Sequence, residues 1–310
     1  MNKKKNTYIR QRNRKRRTLI VLCFLILVAI FGVAKFAINK NKKDIQTVEK
    51  KSQEENLAAE NIKKEEPKPD EIIKGSNVTV EGDKYAYDAT EVEDVLTKGK
   101  YKVDGKKIAF LTFDDGPSTT VTPKILDILK ENEIKGTFFI VGNSLDRDES
   151  KELLKRTIKE GHAIANHTVT HNYKKLYPGR VVNVENFMGE VEKNDQMMRD
   201  VLGENFHSRV IRFPGGHMSW KGTKEVDKVL KEKGYLYIDW NSLTGDAEGK
   251  KRTPVQLAER VKTEVNEKNG EPDRLVVLMH DTYGKETTAE ALQDVINYLK
   301  SLGYEFKTLK

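Results

Sequence analysis

The sequence predicts an α/β fold, a parallel sheet curled into a distorted or incomplete (β/α) barrel of about seven strands. Three observations lead there. Short apolar runs alternate with segments whose apolar residues recur at helical spacing, from residue 108 to the C-terminus. Roughly seven such strand-helix repeats occur, enough to curl a sheet. The third is positional: Asp114, Asp115, His167, Arg212, Asp246 and His280 each fall at or just beyond the end of a predicted strand. In barrels and open parallel sheets that edge is where polar groups converge.

The N-terminal elements precede that pattern. Residues 1–17 carry nine Lys and Arg and no acid, so although the chain's formal net charge is +8, the rest sums to −1. A general nucleic-acid surface is therefore not implied. Residues 18–34 are uncharged and strongly apolar. Extended through Lys35, whose amine can snorkel, to Ile38, the run spans ~31 Å, about one bilayer core. A basic flank stays cytoplasmic. Residues 18–38 are thus expected to be a transmembrane anchor with everything after them outside; a cleaved signal peptide, with Gly32-Val-Ala34 as a poor cleavage site, is the alternative. Cys23 is the single cysteine and lies inside this run, so no internal disulfide or cysteine metal site is possible.

Residues 39–75 are rich in Lys and Glu, poor in large apolar residues and broken by Pro67 and Pro69, which predicts an extended linker. Residues 76–100 hint at short strands around Asn77–Val80 and Tyr85–Tyr87, with no assignable role. The main folded domain is expected over 101–310, opening with a hairpin that turns at Asp104-Gly105. Strands follow near 108–112, 137–141, 163–166, 210–213, 235–239, 275–279 and 305–309. Helices are expected over 121–132, 151–160, 184–202, 223–233, 254–268 and 287–302.

The polar residues at the strand ends are chemically pointed. Asp114 and Asp115 are adjacent carboxylates, and keeping both ionised in a partly buried site is costly unless something positive sits beside them. His167 and His171 have the spacing that places two imidazoles on one face of a helical turn, within reach of one ion. With an aspartate as third ligand they form a His-His-carboxylate set that leaves positions open, the arrangement of a catalytic rather than a structural zinc. Asp115, His167 and His171 are assigned to that set. Zinc is the expected ion, but the same donors admit cobalt, nickel or manganese.

Taken in order, Thr112-Phe-Asp-Asp-Gly-Pro117, His167-Thr-Val-Thr-His171, Arg212-Phe-Pro214, an Asp-bearing fourth segment and Leu278-Met-His280 resemble the polysaccharide deacetylase family. This family is also called the NodB-homology domain or carbohydrate esterase family 4, and the resemblance covers about residues 101–309. It implies Asp114 as general base, His280 as the general acid that protonates the leaving nitrogen, and Arg212 as the arginine that orients the base. It also implies the backbone N–H of Gly215 at the oxyanion and Leu278 as a wall of the acetyl pocket. A histidine suits the acid's role because its ordinary pKa lies near neutrality. Asp281 is the alternative actor beside it.

In the fourth segment the common form has an aspartate followed directly by tryptophan. Here Asp246 precedes Ala247, and Trp240 follows Asp239 instead. Asp246 is expected to tune His280, with Asp239 the alternative, and the apolar wall is left without an owner. Trp220, Tyr173, His217 and Tyr283 lie near motif ends, where aromatic faces can stack on sugar rings.

The resemblance implies hydrolysis of N-acetyl groups on an extracellular glycan, with N-acetylglucosamine of peptidoglycan the expected substrate. Deacetylation of chitin-type or poly-N-acetylglucosamine chains, or of acetylxylan, is an alternative. So is an inactive, membrane-anchored glycan-binding protein. Nothing in the pattern sets an oligomeric state.

Overall fold

The computed structural model describes residues 67–310 except Asn269, together with the isolated positions Gly32 and Lys35. The expected anchor and most of the expected linker lie outside the described residues. Among the described residues, no helix is long and apolar enough to cross a membrane.

The chain joins the fold earlier than the expected linker end at residue 75. Glu71 O accepts from Val80 N at 2.9 Å, and Gly75 N donates to Asn205 O at 2.7 Å. Asn77–Val80 forms only a bridge, Thr79 with Ile72. Strand β1 (Ala86–Tyr87) pairs with β10 (Thr308–Leu309), joining the two ends of the domain. Helix α1 (Ala89–Lys98) follows, capped by the Asp88 carboxylate on Thr90 N and ended by Gly99 in the left-handed conformation.

The expected hairpin at Asp104-Gly105 does not form, because no strand precedes the turn. The loop instead wraps the carboxylate of Asp273, whose Oδ2 accepts from the N–H groups of Val103, Asp104 and Gly105 at 2.7, 2.9 and 2.7 Å.

Seven parallel strands follow: β2 (Ile108–Asp114), β3 (Thr137–Ile140), β4 (Ala163–Asn166), β5 (Val210–Ile211), β6 (Leu236–Tyr237), β7 (Ser242–Leu243) and β8 (Arg274–His280). Their order across the sheet is β6-β5-β4-β3-β2-β8-β7, with β9 (Glu305–Phe306) pairing the start of β2. Among the described residues the two edge strands do not pair, so the barrel is incomplete. The helices between strands are α2 (Thr122–Glu131), α3 (Asp148–Lys159), α4 (Tyr173–Leu176), α5 (Val184–Leu202), α6 (Thr223–Glu232), α7 (Pro254–Thr263) and α8 (Glu286–Ser301). The helix expected over 254–268 is α-helical to Thr263 and continues as a π turn over Glu264–Lys268.

Alternation along β2 explains both the core and the site. Ala109, Leu111 and Phe113 pack outward against α2 and α8, through Ile125, Leu126, Leu292 and Val295. Ile108 and Phe110 point to the other face, where α1 supplies Ala89 and Val92. Fully burying each such large apolar side chain is worth about 1.5–3 kcal/mol. The inward face ends in Thr112 and Asp114, so the period of two that buries Phe110 also aims these polar groups into the barrel mouth.

Candidate active site

The register of the sheet brings the strand tips together. Asp114 lies opposite His280 on β8 and Phe139 on β3. Arg212 follows the last residue of β5 and is fully buried, so the positive neighbour that the paired carboxylates require comes from inside the barrel. One guanidinium nitrogen donates to Asp114 Oδ1 at 2.7 Å and to Thr112 Oγ1 at 2.9 Å. The remaining N–H groups go to the carbonyls of Ile238 (2.8 Å) and Asp239 (3.2 Å). The carboxylate takes a single bond, and the backbone holds the rest of the fork. Burial raises the pKa of Asp114, with Arg212 opposing it.

Asp115 turns away from its neighbour because its backbone is left-handed, at φ 72°. Its Oδ1 stands 3.5 Å from His167 Nε2 and 3.6 Å from His171 Nε2. The histidines are not on the helical turn that their spacing predicts. They sit on the loop after β4, where Thr168 and His171 adopt φ 65° and 51°. Side chains from α5 pin that loop. Glu190 accepts from Thr170 N at 2.9 Å and Thr170 Oγ1 at 2.8 Å, while Asn194 Nδ2 donates to Asn166 Oδ1 at 2.9 Å.

These donors fit a cation. His167 Nδ1 faces the Arg212 carbonyl at 2.8 Å; a carbonyl only accepts, so Nδ1 carries the proton and Nε2 offers its lone pair to the site. Burial, then the neighbouring His171, pushes the pKa of His167 down to about 3, keeping it neutral. Asp115 Oδ1 is buried without a hydrogen-bond partner. One ligand atom from each of Asp115, His167 and His171 lies within 4.8 Å of the others.

Across the cavity, His280 Nδ1 bonds Asp246 Oδ1 at 2.8 Å, and its backbone N–H reaches Asp246 Oδ2 at 2.9 Å. Thr288 Oγ1 on α8 donates to the same Oδ2 at 2.8 Å. Burial disfavours a charge on His280, but the hydrogen bond and charge of Asp246, with Asp114 and Asp115 beyond, outweigh it and raise its pKa to about 9. Burial likewise opposes ionisation of Asp246, yet its bond to His280 lowers its pKa overall. Asp239 is not the partner of His280. Its Oδ1 accepts from His217 N at 3.0 Å instead.

Asp281, the alternative actor, faces away from the cavity. It is fully buried beneath Gly116, bonded by Thr122 Oγ1 at 2.6 Å, and burial raises its pKa to about 7. A Cβ at Gly116 would overlap the Asp281 carboxylate, so glycine is required there.

The cavity is about 340 Å³ and is lined by Asp114, Asp115, both histidines of the loop, His280 and Asp246, with Tyr173, Gly215 and Leu278 on its walls. Trp220 is not part of that lining. Its ring stacks on Tyr177 at 3.9 Å and its Nε1 donates to Pro214 O at 2.9 Å, behind the Gly215 loop. His217 stacks on Tyr237 at 4.0 Å and bonds Asp227 at 2.8 Å, and Tyr283 contacts Thr119. Neither lines the cavity. The missing apolar wall has an owner after all: Trp240 lines the cavity beside Leu243 and Ala247. It packs so close to Gly216 that a Cβ there would meet the indole at 2.8 Å. Sequence spacing missed it because the indole arrives from six positions before Asp246 rather than one after.

A family model described as polysaccharide deacetylase matches residues 101–238. A peptidoglycan-N-acetylglucosamine deacetylase of Bacillus cereus is 32% identical over 212 residues, which cover 65% of this chain and 69% of that protein. Among solved structures, a CE4 esterase of Streptococcus mutans overlays with a TM-score of 0.72 at 38% identity, covering 78% of this chain and 100% of that one. The polysaccharide deacetylase Bc1974 of Bacillus cereus overlays with a TM-score of 0.56 at 29% identity, over 66% of this chain and 92% of that one.

Proposed function

The chain belongs to the polysaccharide deacetylase family, and from that premise we propose that it hydrolyses N-acetyl groups of an extracellular glycan, with N-acetylglucosamine of peptidoglycan as substrate. The observation that carries the reading is the convergence of two sets on one cavity: the donor trio Asp115, His167 and His171, and the proton-handling groups Asp114 and His280. A pure binding protein gains nothing from a fully buried arginine on one carboxylate and a carboxylate behind one histidine.

Each residue then has a distinct role. Asp115, His167 and His171 would hold a divalent cation, zinc by preference, which supplies acidified water and a polarised carbonyl. Asp114, fixed by Arg212, takes the proton from the attacking water. The backbone N–H of Gly215 faces the developing oxyanion. His280, kept protonated by Asp246, delivers a proton to the departing amine. Leu278 and Trp240 supply the apolar walls for the acetyl methyl group, and Tyr173 offers an exposed ring to the sugar.

The substrate assignment is supported by the Bacillus cereus relative's name and by the basic and apolar N-terminal pattern, which would tether the domain, single-pass, to the outer face of the cell membrane. Acetate release by the full chain from peptidoglycan, chitin oligomers and acetylxylan, with and without chelator, tests the proposal. Chelator-sensitive release that is fastest from peptidoglycan is expected. No release from any of them would return the chain to the inactive binder.

A further inference from the structure

We infer that helix α1 builds, beside the reaction cavity, a second cleft that holds another pyranose ring of the same glycan; this rests on the glycan-deacetylase reading above. The cleft is about 310 Å³ and is lined by Leu96 of α1, Tyr101, Met218, Tyr237 and Trp240, with Asp239 at its wall. Trp240 lines both spaces, so one indole divides the reaction cavity from the cleft. A chain bound with one sugar at the reaction centre therefore has its continuation at this wall.

The chemistry suits a sugar. Three aromatic side chains can face the apolar C–H surface of a pyranose, and the Asp239 carboxylate offers an acceptor to ring hydroxyls. Met218 is 87% exposed at the rim. Its thioether is thus open to a bound ligand, and a thioether adapts readily to a ligand surface. Leu96 comes from a helix that precedes residue 101, where the polysaccharide deacetylase segment begins. Residues 76–100 thereby gain a role, since α1 packs Ala89 and Val92 into the barrel interior and presents its last turn to the cleft.

The test compares Met218→Ala and Tyr101→Ala with the wild-type full chain on two substrates. One is the N-acetylglucosamine pentamer, which can fill both spaces; the other is 4-nitrophenyl acetate, which reaches only the reaction centre. The expected result is a loss of kcat/KM of about threefold to tenfold on the pentamer, the scale of one aromatic or apolar sugar contact, with the ester unchanged. Equal losses on both substrates, or none on either, would overturn the inference.

A binding readout separates this from the function itself. The chain has two tryptophans, so Trp220→Phe leaves Trp240 as the reporter. A fluorescence change on adding the pentamer that Met218→Ala weakens supports the cleft even if no acetate is released. If acetate is released but Trp240 does not respond, the cleft fails and the function stands.

Discussion

Replacing Asp246 by asparagine isolates the electrostatics of the proposed acid. Asp246 contacts the Nδ1 and backbone N–H of His280, and the imidazole is only 12% exposed. Its pKa stands near 9 against an ordinary 6.5, a span worth roughly 3 kcal/mol in favour of the imidazolium. Asparagine keeps an acceptor for Nδ1 but removes the charge. Burial, which pulls the pKa down, then prevails, and the group deprotonates below neutrality. A raised pKa preserves the proton as pH rises, so wild-type activity should hold into the alkaline range, whereas Asp246→Asn should lose it from the neutral range upward. At pH 8 the expected loss in kcat/KM is about tenfold to a hundredfold, shrinking toward pH 6. The assay is acetate release from chitin oligomers over pH 5.5–10 at saturating zinc. A bound cation lowers the pKa of both proteins alike, so the displacement between profiles is the informative quantity. Superimposable alkaline limbs would refute the argument.

The same pair should shape stability against pH. The raised pKa of His280 contributes stability that is complete below 6.5 and lost as pH rises through about 9, while the lowered pKa of Asp246 contributes stability present above 3.8 and lost as pH falls through its folded value. Denaturant midpoints of wild type should therefore decline at both extremes, with Asp246→Asn showing flatter limbs. Arg212→Met should cost about 3–5 kcal/mol in a urea titration, because it strands Asp114 in the interior; a cost under about 1 kcal/mol would mean that the pair is not what holds the barrel mouth. Glu190→Ala should weaken zinc affinity about tenfold to a hundredfold in a competition titration, since it frees the Thr170 loop between the two histidines. Unchanged affinity would show that the loop needs no anchor.

The parts of the fold legible in the sequence are those where local pattern and tertiary role coincide. Strand β2 is buried throughout and ends in Asp114, with Asp115 just beyond it, and α5 spans Val184–Leu202 as its periodicity predicts. Every residue assigned to the cation and the proton transfers converges on one cavity for the same reason, since a parallel sheet collects its strand tips. What stayed hidden depends on long-range packing. Helix α1 has apolar residues at Val92, Val95 and Leu96, but acidic neighbours obscure their spacing. Strand β7 is two residues long and exists because β8 offers it an edge. The histidine loop defeats the helical reading because Thr168 and His171 take left-handed backbone angles that α5 stabilises from twenty residues away. Trp220, expected to face a sugar, stacks on Tyr177 instead, while Trp240, without an expected role, closes the cavity.

The most direct test of the account is X-ray absorption at the zinc edge of the zinc-loaded full chain, with His171→Ala alongside. One ion with two imidazole nitrogens and a carboxylate oxygen at about 2.0–2.2 Å is predicted, losing one nitrogen in the variant. A spectrum without imidazole scattering, or one that His171→Ala leaves unaltered, would contradict it.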